Sequence, residues 1–198
     1  MIRLLLLVVL LAQGRPLFYW GSRSPVVTPG EHQGPPEIAR VVEIHAALDR
    51  GDLVIRLTLD RPVRDATHLP DGAPVSGRLQ ARIYLDLDGD PATGQAGSSA
   101  DSRTGTERLI ELATLYVGED EEQLRPAEAR VIVAIDALDE AGRRSPLWSA
   151  EHVASPDRVS MRGEWVELRL PERHAPVAER SRFVYATGLE VFEGRFRP

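Results

Sequence analysis

Short apolar runs of period two, each cut off by turn residues, constrain this chain most. Residues 53–59 (LVIRLTL) place Leu53, Ile55, Leu57 and Leu59 on one face, with Val54 out of phase. That spacing belongs to a half-buried strand and not to a helix. Residues 40–48 form a similar run, joined to it by Asp49, Arg50, Gly51 and Asp52, a hairpin-turn composition. Further runs fall at 79–87, 109–117, 129–137, 158–161, 165–170 and 183–192, with Gly, Pro and Asp between them. Only residues 119–129 read as locally helical, and Pro126 limits that segment. Many short strands without alternating helices predict an all-β fold, an antiparallel β-sandwich.

The sandwich is expected over residues 38–198, about 160 residues, enough to bury a core without covalent staples. Residues 21–37 carry Pro25, Pro29, Pro35 and Pro36 with Gly21, Gly30 and Gly34, and read as a linker. Residues 1–20 open with Arg3 and an apolar run from Leu4 to Ala12. With Ala12, Gln13 and Gly14 as a small-x-small site, this is the layout of a secretory signal peptide. The run falls short of the roughly 20 apolar residues that cross a bilayer. A rival reading extends it through Leu17, Phe18, Tyr19 and Trp20 as an uncleaved membrane anchor with interfacial aromatics, and a third makes it a buried core strand. Signal and anchor alike place the domain outside the cytoplasm, periplasmic or secreted.

Cysteine is absent, which removes disulfides, thiolate catalysis and a lipid-modified Cys anchor. Lys and Asn are absent too, as a GC-rich bacterial genome would produce. A formal net charge of −6 with scattered Arg argues against a nucleic-acid partner.

Residues 84–94 (YLDLDGDPATG) carry the chemistry. Ile83, Leu85 and Leu87 point to one face of a strand while Asp86 and Asp88 point to the other, and Asp90 follows in the turn. Thr93 adds a hydroxyl, and Glu107 opens the next strand. Clustered oxygen ligands are what calcium requires, so Asp86, Asp88, Asp90, Thr93 and Glu107 are the expected metal ligands. An EF-hand is excluded, because Pro91 falls where its invariant Gly belongs and Gly97 where its bidentate Glu belongs. The competing reading is a solvated acidic Asx-turn with no ion.

Residues 84–94 together with 105–111 (GTERLIE) resemble a motif of exported bacterial β-sandwich domains, the DOMON-like and family-9 carbohydrate-binding-module group. Asp86, Asp88, Pro91, Ala92, Thr93, Gly94 and Gly105 match it, whereas Glu107 replaces an aspartate and Arg108 a tyrosine. Residues 165–171 resemble that group's proline-terminated strand, and residues 183–192 its closing strand. The resemblance implies a calcium-stabilised, jelly-roll-like sandwich used for binding and not for turnover.

Trp148 and Trp165 are the candidate ligand-binding platforms for a carbohydrate or cell-surface glycan, since flat aromatic faces stack on sugar rings. For each, packing beneath a loop is the competing role. Haem ligation would fall to Met161 with His152, in no distinctive setting. Hydrolase signatures such as Gly-x-Ser-x-Gly or His-Glu-x-x-His are missing. Glu43, Glu107, Glu111, Glu164 and Glu167 could supply a glycosidase pair only if two of them faced each other across a cleft, and His45 reads as a sheet residue. The expected function is therefore an exported, non-catalytic binding domain with a structural calcium site. The alternatives are an envelope-anchored protein-interaction domain, tethered through residues 1–20 to a cell-envelope component, or a glycoside hydrolase.

Overall fold

A computed structural model describes residues 16–29, 38–63, 78–96, 103–117, 128–187 and 190–197. The strands are β1 (Ile38–Ala39), β2 (Val41–Asp49), β3 (Asp52–Leu59), β4 (Arg78–Asp86), β5 (Arg108–Val117) and β6 (Glu128–Leu138). They continue with β7 (Arg144–Glu151), β8 (Val159–Arg162), β9 (Trp165–Leu170), β10 (Arg182–Thr187) and β11 (Glu190–Arg195). No helix forms among the described residues. The chain is all-β, as its period-two runs require.

Two sheets carry the fold. The larger runs β11-β10-β4-β5-β6-β7, with β1 lying parallel to the start of β4, and the smaller runs β2-β3-β9-β8. Every other pairing is antiparallel. One continuous core joins the inner faces: Ile44, Ile55, Leu57, Val166 and Leu168 from the smaller sheet meet Ile83, Leu85, Ile110, Val133 and Phe183 from the larger. Side chains such as Leu57 and Ile110 are wholly buried, and each contributes about 2 kcal/mol relative to exposure.

Two features depart from the sequence reading, and a third expectation falls mostly outside the described residues. Strand β7 has no apolar alternation and contains Pro146, so it carries no sequence signal. It survives because it is an edge strand, paired beside an irregularity at Ile135 and Asp136 where the missing N–H is tolerated. The run 183–192 divides into β10 and β11, which pair with each other. Residues 119–127 of the helix-like segment lie outside the described residues, and its last two, Glu128 and Ala129, belong to β6.

The chain ahead of Ile38 also joins the sandwich. Val27 bridges to Ile44, whose carbonyl accepts from the amides of Val26 and Val27 at 2.7 and 3.2 Å. Trp20 is buried against Ala47 and Val54 on the outer face of the smaller sheet, with Leu17 and Phe18 beside it. Pro and Gly oppose regular structure here but not contact, and the aromatic residues supply apolar area that a bare sheet face can cover. Residues 1–15 and 30–37, which hold most of the expected signal or anchor segment and the end of the expected linker, lie outside the described residues.

Candidate metal centre

Strand β4 delivers the first carboxylate. Leu85 enters the core, so Asp86 points outward, where β10 sets Arg182 directly opposite. Asp86 is only 2% exposed. Its Oδ2 accepts from Arg182 Nε at 3.2 Å and its Oδ1 from the Gly89 amide at 2.6 Å. A second guanidinium nitrogen of Arg182 donates to the Thr104 carbonyl at 2.6 Å, which ties the 103–107 loop to the same point.

Past Asp86 the chain turns through successive Asx hydrogen bonds. Asp88 Oδ1 accepts from the Asp90 amide at 2.8 Å, and Asp90 Oδ1 from the Ala92 amide at 2.9 Å. Thr93 then swings back, its Oγ1 lying 3.1 Å from Asp88 Oδ1, 2.9 Å from the Asp90 carbonyl and 2.6 Å from Glu107 Oε1. Glu107 reaches the group from the start of β5. Its amide donates to the Leu85 carbonyl at 2.9 Å, and its Oε2 accepts from the Leu87 amide at 2.7 Å.

Two glycines allow the loops to touch. Gly94 has φ +63°, and a Cβ there would lie 2.4 Å from the Thr106 carbonyl oxygen. Gly105 has φ +84°, and its Cβ would lie 2.9 Å from Pro91 Cα. Any side chain at either position separates the 86–96 loop from the 103–107 loop, and with it Asp88 from Glu107.

The outcome is a group of three carboxylates, Asp86, Asp88 and Glu107, that could hold a metal ion, with ligand oxygens all within 4.8 Å of one another. Oxygens bound on opposite sides of a calcium ion lie about 4.8 Å apart, so the spread suits one cation. Asp90 is not in that group: its carboxylate caps its own turn, although its backbone carbonyl meets Thr93. A shallow cleft of about 550 Å³ opens alongside, lined by Gly94, Glu107, Arg108, Asp139, Glu140 and Arg143. Burial holds the Arg108 guanidinium below its ordinary value, although the charge of Glu107 works the other way.

The tryptophans differ from each other. Trp148 is half-buried on β7 and packs against the main core. Trp165 opens β9 at 37% exposure, with the Arg56 guanidinium 4.2 Å over one ring face. Of the candidate acids, Glu111 and Glu167 face outward from opposite sheets, away from the core side chains between them. Glu111 pairs with Arg82 and Arg144. Burial works to raise its carboxyl, but the hydrogen bonds from those arginines win and hold it below the usual range. His152 Nδ1 accepts from the Val131 amide at 3.1 Å.

One participant escaped the sequence reading, and for another the reading missed the partners. Arg182 is the guanidinium that pairs with Asp86, and only the β4–β10 register brings it there. Glu167, 3% exposed, is the other: it gathers Trp20 Nε1 at 2.9 Å and Arg56 at 2.7 Å, along with the Leu17 amide. Val166 and Leu168 on either side of it enter the core, so Glu167 faces outward, beneath the N-terminal segment. No protein-family model, curated protein or solved structure gives a significant match to this chain.

Proposed function

We propose that this chain is an exported, non-catalytic binding domain whose β4–β5 end holds a structural calcium ion. The observation that carries the reading is the surplus of acceptors around Thr93. One hydroxyl proton is shared among oxygens of Asp88, Asp90 and Glu107, and among the described residues the hydrogen-bond partner of Asp88 Oδ2 is Thr93 Oγ1 at 3.3 Å. Among the described residues Arg182 is the side chain that ion-pairs with one of the three carboxylates, Asp86, and Asp88 and Glu107 have no such pair, which leaves negative charge in a half-buried setting. A divalent cation satisfies both deficits, and the oxygen-only ligand set favours a hard ion such as calcium. The ion would pin two loops and perform no chemistry.

A carbohydrate or cell-surface glycan is the proposed ligand, supported by the resemblance of residues 84–94 and 105–111 to carbohydrate-binding modules. Trp165 is the better-placed contact, since Arg56 occupies one face and leaves a partly exposed ring. Thermal melts in chelator and then in calcium, for the parent and for Asp88→Ala, test the cation. Calcium at 100 times its Kd stabilises by about 2.7 kcal/mol, a Tm rise of roughly 5–10 °C for a domain of this size, and Asp88→Ala should lose it. An unchanged parent melt would reduce the cluster to a solvated turn. Pull-down on a panel of insoluble polysaccharides, with Trp165→Ala as control, tests the ligand separately.

A further inference from the structure

The outer face of the smaller sheet is closed by the chain's own N-terminal segment. Glu167 receives the Trp20 indole N–H at 2.9 Å and the Leu17 amide, while the Leu17 carbonyl accepts from Arg169 at 2.8 Å. Arg56 lies 5.0 Å over the Trp20 ring and 4.2 Å over Trp165, and Phe18 meets Trp20 edge-on at 5.0 Å. Trp20 is 5% exposed. A residue packed in this way cannot also lie in a bilayer.

Two small-x-small sites follow the apolar run Leu4 to Ala12: one at Ala12 and Gly14, the other at Ser22 and Ser24. Cutting after Ser24 would remove Leu17, Phe18 and Trp20 and strip the sheet face. Retaining residues 1–20 as a membrane segment would pull the same side chains off it. Cutting after Gly14 avoids both losses and leaves Arg15 and Pro16 ahead of the first bound residue.

We infer that the leader is removed at the Gly14–Arg15 bond and that Leu17–Trp20 stays on the mature chain as a strap over Glu167. A leader peptidase would hydrolyse that amide, water supplying hydroxyl to the Gly14 carbonyl carbon and a proton to the Arg15 nitrogen. The inference rests on the reading of the chain as exported, and one experiment separates the two. The full chain is expressed in a bacterial host, the cells are fractionated, and the N-terminus of the protein in each fraction is sequenced.

The expected result is extracytoplasmic protein beginning Arg15-Pro16-Leu17. Extracytoplasmic protein beginning beyond Leu17 would overturn the strap and leave export standing. Protein confined to the cytoplasm with residues 1–14 attached would overturn both. Membrane-bound protein retaining residues 1–14 would overturn the cleavage alone. Gly14→Leu supplies the positional control: it should accumulate precursor, whereas Ser24→Leu should process as the parent does, and the reverse pattern would place the cut at the second site.

Discussion

Replacing Trp20 by Ala tests whether the strap belongs to the fold or merely rests on it. A buried Trp removes on the order of 200–250 Å² from water, which at about 25 cal/mol/Å² sets an upper bound near 5–6 kcal/mol. The unfolded chain already hides part of that area, so a loss of about 3–5 kcal/mol is expected. No larger penalty should appear, because Glu167 keeps two hydrogen bonds from Arg56 when the indole N–H is gone. Breaking a buried charge pair outright would cost more, and Trp20→Ala does not do so.

Trp20→Phe divides the effect. It keeps most of the ring area and the edge-on contact with Phe18, and deletes the 2.9 Å hydrogen bond to Glu167. About 1 kcal/mol is expected for that bond. Urea unfolding followed by far-UV circular dichroism reads both variants through Cm at constant m, and avoids relying on the fluorescence of the residue being removed. A Trp20→Ala protein within about 0.5 kcal/mol of the parent would refute the packing described for the strap. Equal losses for Ala and Phe would refute the assignment of the larger share to buried area.

Two other perturbations have definite signs. Arg182→Gln leaves Asp86, 2% exposed, with the Gly89 amide alone, so stability in chelator should fall by about 3 kcal/mol. Because the site then carries more uncompensated negative charge, calcium should raise Tm further in this variant than in the parent, and an equal or smaller rise would count against a cation at Asp86. Asp60 gives the acid response. Burial works to raise its carboxyl, but hydrogen bonds from the Arg61 side chain and from the Arg40 amide and side chain outweigh it and hold it at about 2. A depressed folded value stabilises above the unfolded value of 3.8 and is lost as pH falls towards 2, so about 1–2 kcal/mol should vanish over that window. Asp60→Asn should remove that portion of the pH slope, which denaturation at a series of pH values would detect.

What could be read in the sequence and what could not divide by the range of the interactions. Residues 53–59 were legible because one buried face imposes strict alternation, and β3 covers them. Strand β7 was not, since an edge position relaxes the demand for both alternation and amide donors, and Pro146 could sit there. The apolar run beside Trp20 groups it with a signal or anchor segment over residues 1–20, whereas its partner Glu167 lies 147 residues away, beyond the reach of any local pattern. The carboxylate group shows the intermediate case. Strand geometry turns Asp86 outward, and that much follows from spacing, but β4 ends there and the Asx turn that follows brings Asp88 beside it. Glu107 arrives only because Gly94 and Gly105 let two loops meet at 2.4 and 2.9 Å from where a Cβ would stand. The two glycines therefore belong with the carboxylates as one unit, although neither offers a side-chain ligand. Residues 95–104 connect the halves and are held at each end by the pair of bonds from the Gln95 amide to Thr106 and from the Gly105 amide to Gln95. Insertion between residues 97 and 102, which leaves Gln95 and Thr104 in place, should keep the carboxylate group intact, while a single methyl group at Gly94 should open it.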